Sequence, residues 1–231
     1  MDLRRIAALV EPFLRADFGP GEPAGLTDLQ LQQITAYIDL FVRWNARMNL
    51  SAVRDADGIV TRHFGESLFA ARHLFKGNSD RPSQSRLIDV GSGAGFPGLP
   101  IKIWSKDVQL TLIESNQKKA IFLREVIRRL GLKDATVFSG RAESFPGQAE
   151  VVTLRAVERF EAALGMATRL VLPAGRIALL IGAGQVERTR ELARDVEWQP
   201  ATPIPQSFGR VLMIGQKGSL AASGGTDDHR A

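Results

Sequence analysis

The 231-residue chain has no cysteine. That absence removes disulfides, thiolate metal sites and cysteine nucleophiles together, and a cytoplasmic protein is the simplest expectation. No run of about 18 apolar residues occurs, so no membrane span is expected. The opening MDLRRIAALVEPF has an acid at position 2 and no continuous apolar stretch, which does not fit a secretion signal. A dinucleotide fingerprint, G-x-G-x-x-G, is also missing, because Phe96 stands where its last glycine would be. No internal repeat is apparent.

What is present supports a globular protein. The 44% hydrophobic share is enough for a real core, and the length suits one domain with an extension or two small ones. A net charge of +5 favours a polyanionic partner.

The chain is organised around Arg86 to Pro100, RLIDVGSGAGFPGLP. Leu87, Ile88 and Val90 read as a short buried strand that carries Asp89 at its carboxyl end. Gly91, Gly93 and Gly95 follow at alternate positions, then Pro97, which fits the first turn of a helix. Strand, glycine loop and helix form the layout that holds a nucleotide-like ligand at a helix N-terminus. An acid just before the loop is poorly placed for a pyrophosphate. It suits a cationic ligand such as S-adenosylmethionine, which carries a sulfonium and an ammonium. The next strand ends in Glu114, 19 residues past Gly95, where a carboxylate can hold ribose hydroxyls in either type of cofactor.

Residues 1–18 carry a helical apolar stripe interrupted by Pro12, which predicts a bent or two-part helix. Residues 19–25 read as a loop. Thr27 to Gln30 form a capping box, with Leu26 and Leu31 as a hydrophobic staple. The helix that follows runs to about Met48 and turns Leu31, Ile34, Ile38, Phe41 and Val42 to one face. A third helix is expected from Asp57, burying Val60, Phe64, Leu68, Ala71 and Phe75. After a polar linker at 77–85 the pattern alternates. Strands are expected at 87–90, 108–113, 135–139, 150–154, 176–181, 196–200 and 210–215, and helices near 97–104, 116–130, 158–171 and 185–194. This is an α/β doubly wound, Rossmann-like sheet at 86–216 behind a helical N-terminal extension at 1–76. Residues 217–231 read as a disordered tail.

Two stretches are basic. Arg43, Arg47, Arg54, Arg62, Arg72 and Lys76 face three acids between positions 40 and 76. Lys118, Lys119, Arg124, Arg128, Arg129 and Lys133 face Glu125 alone. Basic residues on a helix are commonly a solvated face, but two such stretches flanking a ligand loop point to a phosphate-backbone footprint. His63, beside an apolar face, is more often a hydrogen-bonded structural residue than a catalyst.

Several motifs together carry a resemblance: WNxxxNL-x-x-VRD, the RH and ESL after it, IDVGSGAGFPGLPIKI, LIESNQKKAIFLREV, GRAE and LRA. Over residues 26–182 the chain resembles the RsmG (GidB) family, which methylates guanine N7 in bacterial small-subunit ribosomal RNA. The resemblance implies a class I S-adenosylmethionine-dependent methyltransferase with a small helical N-terminal part. Gly91 and the loop to Phe96 match the family's cofactor contacts, and Glu114 matches the ribose acid of the fold. Ala142 and Glu143 match the adenine-side contact. Arg155 matches an arginine facing the site, and with Arg141 it is the expected catalytic pair. The implied partner is 16S ribosomal RNA or the small-subunit particle, without membrane or metal, and a monomer is expected. One departure stands out. The family's fifth strand usually ends in lysine before glycine, whereas this chain reads Leu180-Ile181-Gly182.

Absences narrow the reaction further. Attack on pyrimidine C5 commonly needs a cysteine nucleophile. Amino-group methyltransferases of this fold often carry [N/D]PP[Y/F] after the fourth strand, where this chain has TLRA. Guanine N7 has an in-plane lone pair and no proton to lose, so its methylation needs alignment more than acid or base. Two alternatives stay open: a methyltransferase with another substrate, and a non-catalytic RNA-binding protein on the same fold.

Overall fold

The computed structural model describes residues 1–15, 25–75, 85–155 and 159–219. Most of the expected 19–25 loop and 77–85 linker, Lys76, and the tail from 220 onward lie outside the described residues.

Three helical segments precede the sheet. α1 (Leu3–Arg15) buries Ile6, Val10, Phe13 and Leu14 and is one unbroken helix with Pro12 inside it, not two parts. α2 (Asp28–Met48) starts at the expected capping box: the Thr27 side chain accepts from Gln30 N–H, and the Gln30 side chain accepts from Thr27 N–H. Such a cap contributes about 1 kcal/mol. Asn49, in the left-handed region, ends the helix. Leu31, Ile34, Ile38 and Phe41 are buried as expected, but Val42 is 49% exposed. The buried stripe instead takes in Tyr37, Leu40 and Asn45. The third helix comes in three pieces: α3 (Ala56–Gly58), a π-helical stretch (Ile59–Gly65) and α4 (Glu66–Leu74). Val60, Phe64, Leu68, Ala71 and Phe75 are all buried, as the periodicity required. The π-helical stretch was not legible in the pattern. Its last residue, Gly65, lies where a Cβ would overlap the Phe13 ring, so this glycine lets α1 pack against it.

The sheet follows: β1 (Arg86–Val90), α5 (Gly98–Trp104), β2 (Gln109–Ile113), α6 (Gln117–Leu130), β3 (Ala135–Phe138), β4 (Ala149–Arg155), α7 (Phe160–Leu170), β5 (Val171–Gly182), α8 (Val186–Leu192), β6 (Val196–Trp198), β7 (Thr202–Pro203) and β8 (Arg210–Lys217). Strand order is β3-β2-β1-β4-β5-β8-β6, with β7 pairing β8. The pairs from β3 to β5 are parallel, and β8 runs antiparallel to both neighbours. β5 begins five residues before the expected start, because Val171 already pairs with Ala149 ahead of a register shift. The central strands β1 and β4 are buried on both faces, as strands covered by helices on each side must be.

Each face has its own core. One buried cluster joins Ile6, Phe13, Ile34 and Phe64 of the N-terminal helices to Leu87, Leu99, Leu112 and Phe122. The other lies under α7 and α8 and includes Val152, Leu154, Leu164 and Leu179. The order of strands reverses between β1 and β4. In a doubly wound sheet the crevice at their carboxyl ends is where ligands bind.

Candidate functional site

The glycine loop leaves β1 at that switch point, and its glycines do different work. Gly91, Gly93 and Gly95 all have positive φ, at 64°, 57° and 89°. A Cβ on Gly93 would meet nothing nearer than Gly91 O at 3.8 Å, so space lies open beside it. A Cβ on Gly95 would overlap Tyr37 Oη and Leu99. Gly93 therefore borders an open cradle, whereas Gly95 is glycine because Tyr37 of α2 and Leu99 of α5 press against the loop.

Two buried acids are tied to the backbone around the loop, Glu114 at Gly93 and Asp89 at Gly98. Glu114, 7% exposed, accepts from Gly93 N–H at 2.8 Å and from Asn116 N–H at 2.7 Å. Asn116 in turn caps α6, accepting from Lys118 and Lys119 N–H. The acid before the loop, Asp89, is 1% exposed and sits beneath it, not facing an open space. It accepts from Thr153 Oγ1 at 2.7 Å and from Gly98 N–H at 3.3 Å. Burial pushes its carboxyl up to about 6, against the pull of those donors. The structure thus makes Asp89 a tie between β1, β4 and α5.

Aromatic rings clamp the loop's far end. Phe96 lies between Tyr37, stacked at 5.3 Å, and His63, stacked at 4.8 Å. Tyr37 also donates its hydroxyl to Ala94 O. Each such ring pair adds about 0.5–1.5 kcal/mol beyond burial. In the sequence Phe96 stands in place of a fingerprint glycine, and the family resemblance sets it at the end of the cofactor loop. The structure shows it as the bolt joining loop to helical extension.

Arg155 closes the site at the end of β4. Its side chain is 8% exposed and forms an ion pair with Glu66 at 3.0 Å. Its Nη2 also donates to Arg62 O at 2.5 Å and to His63 Nδ1 at 3.4 Å. His63 Nδ1 must therefore carry the lone pair, which leaves Nε2–H to donate to Ser51 Oγ at 2.8 Å. Burial, then the charges of Arg155, Arg62 and Arg210, hold His63 down to about 3, so it is neutral across the physiological range. Burial lowers Arg155 to about 10, and it stays a cation at neutral pH. Among the described residues, Arg155 Nε is the one buried side-chain nitrogen or oxygen atom without a hydrogen-bond partner.

Other expected residues stand apart. Arg141 and Glu143 are exposed around a short 3-10 turn, Ala142–Ser144, and no ion pair joins them among the described residues. Ala142 is half-buried against the second core cluster. No hydrogen bond links these three to the glycine loop or to Arg155 among the described residues. Ile181 is 3% exposed in the same cluster and itself brings no charge to the end of β5, where Arg210 of β8 pairs with Gly182. Sequence reasoning missed Glu66, Arg210, Thr153 and Tyr37. For Glu66 there was a signal: an acid inside the apolar run from Phe64 to Leu74.

The arrangement fits a nucleoside cofactor with a charged tail. It offers a cradle at Gly93 that only glycine leaves empty, a carboxylate with lone pairs to spare at Glu114, and an unpaired guanidinium N–H at Arg155. Comparison with known proteins agrees. A family model described as rRNA small subunit methyltransferase G matches residues 30–206. A ribosomal RNA small subunit methyltransferase G from Roseiflexus sp. (strain RS-1) is 38% identical over 82% of this chain and 84% of its own length. Among solved structures, an S-adenosylmethionine-dependent O-methyltransferase from Thermotoga maritima aligns with a TM-score of 0.54 over 80% of this chain and 72% of its own, at 16% identity. M. jannaschii TYW2 in complex with AdoMet aligns with a TM-score of 0.53 over 67% and 77%, also at 16% identity. At such identities the solved structures speak for the fold, which is the class I methyltransferase sheet read from the sequence.

Proposed function

The chain belongs to the rRNA small subunit methyltransferase G family, and we propose that it transfers the methyl group of S-adenosylmethionine to N7 of a guanine in 16S ribosomal RNA. When bound, the cofactor supplies an electrophilic methyl group on a sulfonium. The chain's own residues supply place and orientation. Glu114 and the loop from Gly91 to Phe96 would hold the ribose and methionine end, with Asp89 bracing the loop from below. Ala142 and Glu143 would border the adenine. Arg155, at the carboxyl end of β4, would with Arg141 orient the guanine or its phosphate.

The observation that carries the N7 reading is the state of His63. It is the histidine beside Arg155, both its nitrogens are engaged, and it is neutral. A group so held neither takes nor gives a proton near neutral pH. An acceptor that must lose a proton would need such a base, whereas guanine N7 needs only in-line alignment. The two basic stretches support a polyanionic substrate.

Nucleoside mapping of small-subunit ribosomal RNA by mass spectrometry, with and without the gene, tests the assignment. A 7-methylguanosine that disappears with the gene is expected. RNA carrying 7-deazaguanine at that position should bind and accept no methyl, and turnover on it would overturn the reading. The single-turnover rate should stay flat between about pH 6.5 and 8.5, since no side-chain base titrates in the step.

A further inference from the structure

Glu66 belongs to the helical extension, yet its carboxylate is at the edge of the sheet. It is 1% exposed. Oε2 receives Arg155 Nη2 at 3.0 Å and Arg210 Nε at 3.1 Å, and Oε1 receives the Ser207 hydroxyl at 3.3 Å. One carboxylate thus ties three segments that meet only in the folded protein: α4, the carboxyl end of β4, and the turn entering β8. Arg210 also donates to Leu180 O on β5 at 3.4 Å.

The charges at this spot do not balance. Arg210 and Arg62 both act electrostatically on Arg155, against the acids Glu66 and Asp89, and Glu66 is the acid paired with Arg155 and Arg210. His63 adds none, being neutral. Arg155 is buried, Arg210 is partly buried and Arg62 is exposed, so the spot carries one cation more than the two acids balance, and a buried guanidinium is costly unless its donors find acceptors. Arg155 Nε is the atom left over. Glu66, Arg62 O and His63 Nδ1 all take Nη2, so the guanidinium is committed along one edge and free along another. Left without these contacts, a long arginine side chain would sample many rotamers and lose entropy on meeting a ligand.

We propose that Glu66 is a positioning residue: its buried carboxylate fixes the guanidinium of Arg155, with Arg210 as co-anchor, so that Nε–H of Arg155, buried and unpaired here, is kept for an acceptor that the substrate brings. Glu66 touches neither cofactor nor RNA and acts through Arg155. This rests on the reading of Arg155 as the substrate-side arginine. The acceptor is an oxygen or nitrogen lone pair of the target nucleotide, and the excess positive charge favours an anionic oxygen.

The test uses the full chain with small-subunit RNA. Glu66→Gln keeps the volume and removes the charge, and Glu66→Asp keeps the charge and shortens the reach. Glu66→Gln should lower the single-turnover rate at saturating cofactor and RNA by about tenfold or more, with S-adenosylhomocysteine affinity within about twofold of wild type. Arg155→Lys is made alone and combined with Glu66→Gln. If Glu66 acts through Arg155, the double variant is no slower than Arg155→Lys. Effects that multiply mean that Glu66 only supports the fold, and the proposal is then wrong. A second readout needs neither activity nor Glu66→Gln. In the wild-type protein the Arg155 Nε–H resonance should be single, sharp and slow to exchange, and in Glu66→Asp it should broaden or shift. An unchanged resonance overturns the positioning role even if methylation is observed. A wild-type protein that does not methylate, yet shows this response, overturns the proposed reaction and not the positioning.

Discussion

At the scale of the residue, alternate glycines in one loop turn out to serve opposite ends. Spacing alone could not separate them, because what distinguishes them is what a Cβ would meet. Gly93→Val should leave the protein folded, at a cost of about 1–2 kcal/mol for left-handed backbone, and abolish binding of S-adenosylhomocysteine in calorimetry. Gly95→Ala puts a methyl into Tyr37 Oη and Leu99. It should cost about 2–4 kcal/mol in denaturant unfolding, from overpacking added to the same strain. If the binding loss followed Gly95→Ala with stability intact, the roles assigned to the two positions would be reversed. The acids behave likewise. Glu114 was legible as a site residue from its distance to the loop, and it does touch the loop. Asp89 reads in the sequence as an acid suited to a cationic ligand, and the structure buries it instead, because which way a strand-end side chain turns depends on Thr153, 64 residues away.

At the scale of the element, α6 lies where the sequence predicts a helix, near 116–130, and the structure supplies its ends: Asn116 caps it, Gly131 in the left-handed region closes it, and apolar positions are buried every three to four residues. Its charges were readable as charges, though not as a surface. The fold lays α2 against α6, with the Trp44 indole donating to Glu125 across the seam. Arg43 and Arg47 on α2 and Arg124, Arg128 and Arg129 on α6 are exposed. Arg43 and Arg47 of the first basic stretch and the arginines of the second therefore come from packed neighbours, whereas Arg72 of the first is buried in α4 and adds nothing to that surface. Reversing Arg128 and Arg129 to Glu should weaken RNA binding and make the log–log salt slope shallower by about 0.7 for each phosphate no longer neutralised. Cofactor affinity should hold. Placing acids in a helix's last turn costs about 0.3–1 kcal/mol each, so a far larger drop in stability, or equal weakening of RNA and cofactor binding, would give these arginines to folding instead.

At the scale of the whole molecule, the helical extension shares its core with one face of the sheet. Unfolding at pH 7 should accordingly be one cooperative transition by calorimetry and by far-UV signal together. Two separated transitions would show that the extension folds by itself. Acid should weaken the fold in a way that reports on the site. His63 is held near 3 when folded and returns to about 6.5 when unfolded. The unfolded chain then binds the extra proton, so this contribution is complete above about pH 6.5 and shrinks as pH falls, by about 2 kcal/mol at pH 5. Asp89, raised to about 6 from 3.8, works the other way, and the folded state gains about 1 kcal/mol as it protonates. His63→Gln should remove the first effect and leave the second, turning the slope between pH 7 and 5 from falling to rising. An acid limb identical to wild type would show that His63 is not held neutral.

Local chemistry was enough for the periodic helices, the capping box at Thr27, the order of strands along the chain and the glycine loop, because each depends on residues within a few positions of one another. The motifs in that order were also enough to point to the family. Three things were decided only by tertiary structure. The longer β5 needed its partner Ala149, the burial of Asp89 needed β4, and the Glu66 cluster needed α4, β4 and β8 brought to one edge. Their common cause is burial. A charge or a ring in sequence carries no mark of whether water or protein will surround it. That surrounding decides whether Glu66 is a solvated helix acid or the anchor of two arginines.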